Sequence, residues 1–191
     1  MRIKIDLSKK SIANAIKQIK AVQKKIQKDL PRVYLQKCVE WIKFNANANL
    51  KAHYISLDIV EKIENSWVTE YISNNHIRLI NTQDTATYLE FGVGIVGQEN
   101  KHSASTSAGY KYNIPTEHKK EDGSWRFYLE EGEDIDLNVG TYNVSYTQSG
   151  KKKVVTKGSP ANMYLFKAIK SFETSGAYKN LWKQAKAEVI G

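Results

Sequence analysis

The chain has 191 residues, of which 41% are hydrophobic and 26% charged, and 29 Lys and Arg against 20 Asp and Glu give a net charge of +9. That length carries one domain with a proper core but not two of ordinary size, so a single domain over residues 1–191 is expected. No apolar run approaches the ~20 residues needed to cross a bilayer, and residues 1–30 alternate Lys with Ile rather than forming an unbroken signal core. No membrane partner is therefore expected, and a cytoplasmic place of synthesis is.

The charge is unevenly spread. Residues 1–30 hold nine Lys or Arg against Asp6 and Asp29, and residues 151–191 hold nine against Glu173 and Glu188. Between Glu117 and Asp136 the balance inverts, with eight carboxylates against Lys119, Lys120 and Arg126. The ends of one copy can thus attract the middle of another, which suits self-assembly as well as nucleic-acid binding.

From Ser8 to Leu30, the residues Ile12, Ile16, Ile19, Val22 and Ile26 recur at steps of three and four, the stripe of an amphipathic helix with Ser8 as its N-cap. Lys17, Lys20, Lys24, Lys25 and Lys28 cover the remaining circumference as a solvated, DNA-facing or partner-facing surface. Pro31 predicts a stop and a fresh start. A second helix follows with the stripe Leu35, Val39, Ile42, Ala46 and Leu50, flanked by Trp41 and Phe44, and it is expected to fade in the Asn-rich stretch 45–49. The first stripe is expected to pack against this second helix. Cys38, the lone cysteine, sits among these apolar residues and reads as a buried structural thiol.

After an ambiguous segment at 55–63, alternation predicts a strand at 67–72, a hairpin turn at Asn74-Asn75 with positive φ, and a returning strand at 76–80. Trp125 to Glu130 and Tyr142 to Thr147 alternate likewise, and Lys153 to Thr156 adds another strand. The stretch Gln98 to Asn113 is Ser/Thr-rich and aperiodic, a long loop expected to order against a partner. Ser159-Pro160 predicts the cap and first turn of a helix with the stripe Met163, Phe166, Ile169 and Phe172, closed by Gly176; a last helix carries Leu181, Trp182, Ala185 and Val189. The result is an α+β chain: a helical part over 1–53, a sheet over 64–157 with a long loop over 97–123, and C-terminal helices over 159–191.

Within YLEFGVGIVG, residues 88–97, the glycines Gly92, Gly94 and Gly97 match the spacing of a dinucleotide-binding turn. That turn needs a preceding strand and a helix N-terminus to hold a pyrophosphate, whereas Gly97 is followed by Gln-Glu-Asn-Lys-His and a Ser-rich loop. No cofactor is expected. A short helix from Asp84 or Thr85 is expected instead, with Leu89 and Phe91 docked inward and Gly92 ending it in a left-handed conformation. Glu90, between apolar neighbours, is a candidate general acid, but no second group accompanies it in sequence; acceptance of hydrogen bonds from a following loop is the alternative. His53, His76, His102 and His118 are dispersed, so no metal site is indicated, and Glu117, His118, Glu121 and Asp122 read as a solvated loop. The basic leading helix lacks aromatic interleaving for base stacking, which leaves only non-specific contact with DNA.

Three stretches, in this order, resemble the tail-completion or head-to-tail joining proteins of long-tailed bacteriophages: ATYLEFGVGIVG at 86–97, the aromatic GSWRFY at 123–128, and SPANMYLFKAI at 159–169. Val93 stands where that family often has threonine, and Asn162-Met163-Tyr164 replaces a more usual proline followed by an aromatic residue. The resemblance implies a small curved, mostly antiparallel sheet packed by helices, and copies arranged as a ring at the head-proximal end of the tail. It implies no catalysis. Its expected partners are the chain itself, tail-tube or terminator proteins and the head connector, with residence in the virion. Tyr88, Glu90, Phe91, Gly92, Gly94, Gly97, Trp125, Pro160, Met163 and Tyr164 become structural-motif and assembly-contact candidates.

Overall fold

A computed structural model describes residues 8–52, 57–112, 120–128, 142–146 and 152–191. His53, Ile55, Glu117, His118, Leu129, Thr147 and the carboxylates from Glu130 to Asp136 lie outside the described residues. The chain is α+β. Its elements are α1 (Lys9–Lys51), α2 (Leu57–Asn65), β1 (Trp67–Ser73), β2 (His76–Asn81), α3 (Asp84–Phe91), α4 (Gly94–Glu99), β3 (Trp125–Tyr128), β4 (Tyr142–Tyr146), β5 (Lys152–Thr156), β6 (Gly158–Ser159), α5 (Tyr164–Ser175) and α6 (Ala177–Ile190). Among the described residues β1 to β5 form two sheets rather than one, the pair β1-β2 and the antiparallel triplet β3-β5-β4.

The two leading helices expected on either side of Pro31 are one helix of 43 residues. Pro31 leaves the Gln27 carbonyl without its usual donor four residues on, a cost of about 3 kcal/mol in a helix interior. Burial of Leu30 beside it, and of Cys38 and Val39 about two turns on, offsets that cost. The Asn-rich stretch also stays helical, because its amides find distant partners. Trp67 Nε1 donates to Asn47 Oδ1 at 2.8 Å, and Asn49 Nδ2 donates to the Tyr164 carbonyl at 3.0 Å. On either side of these two asparagines Ala46 and Leu50 are fully buried. At the other end Ser8 caps α1 as expected, its Oγ accepting the Ser11 amide at 3.2 Å.

The chain divides into two compact units, and α1 and α5 contribute residues to both. In the first unit the C-terminal helices pack on α1. Trp182 meets Tyr34 edge-on at 5.2 Å, Glu188 pairs with Lys37 at 2.9 Å, and the fully buried Ala185 lies on the same face of α6 between them. Phe172 of α5 packs on Trp41 at 5.5 Å. Cys38 is buried, as its neighbours suggested. The β1-β2 hairpin belongs here from Val68 onward, and Arg32 lies 4.8 Å over the ring of Tyr71. Its turn is made without positive φ at Asn74 or Asn75, contrary to expectation.

The isoleucine stripe of α1 is the largest departure from the expected packing. Ile12, Ile16, Ile19 and Ile26 keep 42, 48, 52 and 41% of their surface exposed, while Ala15 and Leu30 are the residues of this stretch that become buried. A second helix was expected to cover the stripe, and in a continuous α1 that helix is only its prolongation. Phe44, expected beside the inner stripe, is also exposed.

The second unit holds the core Leu50, Val60, Ile63, Ala86, Val154, Tyr164 and Ala168, all buried. β5 is the central strand of its sheet, with Thr156 opposite both Trp125 and Tyr142. α5 begins at Tyr164 and not at Ser159-Pro160, since Ser159 is held in β6 and bridges Val93. The buried positions of α5 are accordingly Tyr164 and Ala168, with Ile169 exposed. Gly176, at φ 70° and ψ 15°, separates α5 from α6 in the left-handed conformation.

Candidate functional site: a glycine joint locked by Glu90

The segment 88–97 and the segment 158–166 form one joint. α3 starts at Asp84, as expected. Its last turn presents two free carbonyls, which accept from the segment before α5: Asn162 N–H donates to Leu89 O at 2.7 Å and Met163 N–H to Glu90 O at 3.2 Å. Met163 adopts φ 58°, alone among described non-glycine residues in positive φ, and its carbonyl receives the Lys167 amide at 2.9 Å. Gly94 and Val93 bridge Gly158 and Ser159, and Val96 N–H donates to the Lys157 carbonyl at 3.2 Å.

Glu90 is 7% exposed and spends its carboxylate on this joint. Oε2 accepts the Leu165 amide at 2.8 Å and Oε1 the Phe166 amide at 2.9 Å. These are orphan donors of the first turn of α5, and a negative charge there also meets the positive end of the helix dipole. His102, 2% exposed, brings Nε2 to 3.1 Å from Oε1. The Ala104 amide donates to His102 Nδ1 at 2.9 Å. Nδ1 is therefore the acceptor and Nε2–H the donor, the neutral tautomer with one proton per ring. Phe91 and Phe166 close on the imidazole edge-on at 4.8 and 4.9 Å. Burial, together with the Glu90 charge, pushes the Tyr164 phenol up from its ordinary value.

Three expectations are corrected here. A second group does accompany Glu90, because the loop after α4 returns His102 to it. That loop orders against its own chain up to Tyr112: Ser105 is buried, Tyr110 stacks on Phe91 at 4.7 Å and donates its hydroxyl to Gly92 O at 2.7 Å, and Tyr112 Oη accepts the His102 amide at 3.0 Å. A helix also begins inside the glycine spacing, α4 at Gly94, although the element before it is the helix α3 and not a strand.

Gly92 ends α3 at φ 79°, but with ψ 172° rather than the left-handed value. Only glycine visits that region freely, and a β-carbon there would fall 2.7 Å from Ala161 N. Gly97 lies inside α4 with its α-carbon face against Gly92. The spacing thus records how closely three backbones approach. Gly158, which no sequence pattern marked, meets them from the other side, where a β-carbon would strike the Val93 carbonyl.

Of the remaining candidates, Leu89 and Phe91 are half-buried, Tyr88 is exposed, Pro160 is exposed between β6 and α5, and Trp125 is placed in β3 opposite Thr156. Lys17, Lys20, Lys24, Lys25 and Lys28 of α1 are exposed, and among the described residues none of these five is paired with a carboxylate. No cluster of metal-ligating side chains and no helix long and apolar enough to cross a membrane occurs among the described residues. Comparison of the chain with family models, curated proteins and solved structures gives no match.

Proposed function

We propose that this chain is a structural virion protein of a tailed phage, one that assembles into a homo-oligomeric ring and completes the tail or joins it to the head. The observation that carries the reading is the uncovered isoleucine stripe of α1, set between lysines that have no carboxylate partner among the described residues. Full burial of an isoleucine is worth about 1.5–3 kcal/mol relative to exposure, so half-exposed side chains hold back about 1 kcal/mol each. A stripe of this kind on a charged helix fits a surface that is covered after assembly. The resemblance of residues 86–97, 123–128 and 159–169 to tail-completion proteins supports the same reading. So does the chemistry of Glu90, whose lone pairs are committed to backbone and imidazole donors.

The reading is tested in particles made from a genome in which this gene is disrupted. Separate heads and unattached tails are expected, and restored joining when the protein is added back. Joined particles in its absence would remove the proposal.

A second reading has its own support in the exposed Lys17, Lys20, Lys24, Lys25 and Lys28: non-sequence-specific binding of nucleic acid by α1. Its mark is an affinity for duplex DNA that falls steeply with salt, with a log–log slope of roughly −0.9 for each phosphate neutralised. No binding at low salt excludes it.

A further inference from the structure

We infer that the basic isoleucine face of α1 docks a second copy of this chain through that copy's acidic stretch Glu117–Asp136. The inference rests on the ring reading above, because a closed ring needs two different patches on each subunit, one for each neighbour. The first patch is the α1 face itself: Ile12, Ile16, Ile19 and Ile26 exposed along one helix face, with lysines beside them that have no carboxylate partner among the described residues. Symmetric pairing of this face with its own copy sets lysine against lysine and is disfavoured by charge.

The second patch follows from complementarity. Residues 117–136 carry eight carboxylates against three basic residues, the densest negative charge in a chain of net +9. The sequence there, LEEGEDIDL at 129–137, interleaves Leu129, Ile135 and Leu137 with the carboxylates, matching an apolar stripe between cations with apolar residues between anions. A nucleic acid satisfies the lysines and leaves the isoleucines wet, whereas an acidic polypeptide of this composition satisfies both.

A charge exchange tests the pairing. One variant carries Lys17→Glu, Lys20→Glu, Lys24→Glu and Lys28→Glu; the other carries Glu130→Lys, Glu131→Lys, Glu133→Lys and Asp134→Lys. At low salt the wild-type chain is expected to self-associate in sedimentation velocity, and each variant alone to associate at least about tenfold more weakly. An equimolar mixture is expected to recover wild-type association, since each reversed patch then meets an opposite one. In a mixture of isotopically heavy and light wild-type chains, a zero-length carbodiimide is expected to join α1 lysines to carboxylates of 117–136 across heavy and light copies. This readout does not depend on either variant folding.

A wild-type chain that stays monomeric at millimolar concentration overturns the inference. So do failure of the mixture to recover, crosslinks confined to single copies, and protection of the lysines by added DNA alone. The two readings fail separately. Particles that join with the lysine-reversed variant refute the pairing and leave the virion role standing, whereas paired copies that are dispensable for joining do the reverse.

Discussion

His102 donates its Nε2 proton to Glu90 Oε1 across 3.1 Å, in a pocket where both side chains are buried. The imidazole holds the loop after α4, while the carboxylate holds the first turn of α5. Glu90→Gln keeps the shape but replaces one acceptor by a donor that faces backbone N–H groups. Loss of charge-assisted hydrogen bonds is expected to lower stability by about 2–3 kcal/mol in urea melts. His102→Ala and the double variant complete a cycle, in which a coupling of about 1 kcal/mol or more is expected. Additive losses would mean that the two side chains act independently.

Gly92 and Gly109 provide a matched pair of substitutions. Both have positive φ, 79° and 64°, but a β-carbon at Gly92 meets the Ala161 and Ser159 backbone, whereas at Gly109 nothing lies within 4 Å. Gly109→Ala is expected to cost about 1 kcal/mol from strain alone. Gly92→Ala should cost at least about 3 kcal/mol, since the α3 end and the segment before α5 must part. Equal midpoints for the two variants in chemical denaturation would refute the close approach described for Gly92.

Alkaline pH should weaken the fold through phenols that burial pushes up, Tyr164 among them, and two of them fix the window. Burial is the main cause that pushes Tyr110 and Tyr34 up to about 12. An unfolded phenol ionises near 10, so the stability these groups contribute is complete below about pH 10 and is lost as the pH rises through about 12. The urea midpoint of the wild-type chain should therefore fall across that window, and it should fall less in Tyr110→Phe and Tyr34→Phe. Parallel curves for all three chains would contradict it.

Pro31 distinguishes one helix from two. In the interior of a continuous α1, Pro31→Ala restores the donor for the Gln27 carbonyl and is expected to stabilise by about 1–3 kcal/mol. Were Pro31 a junction between two helices, the same change would be neutral or destabilising. Circular dichroism and thermal melts read the sign directly.

The elements legible in the sequence are those whose partners are local. Ser8 capping α1, the strands at Trp67 and Trp125, the helix at Asp84 and the break at Gly176 all follow from residues a few positions apart. What sequence reasoning missed was settled by partners far along the chain. The helix through Asn47 and Asn49 depends on Trp67 and Tyr164, and the start of α5 at Tyr164 depends on Ser159 bridging Val93. Glu90 was visible as a carboxylate in apolar company, with loop-holding as one of its readings. His102 was not, since a separation of 12 residues through an aperiodic loop leaves no spacing to detect. The lone signal for it is that its own loop carries Tyr110 and Tyr112, aromatic rings in an otherwise polar stretch.

Glu90 waits for donors that lie 75 and 76 positions downstream. During synthesis its carboxylate has no amides to bind until Phe166 has left the ribosome, so the glycine segment cannot close co-translationally on the residues made before it. Closure of this joint is a long-range event that requires both ends of a 75-residue separation to be present.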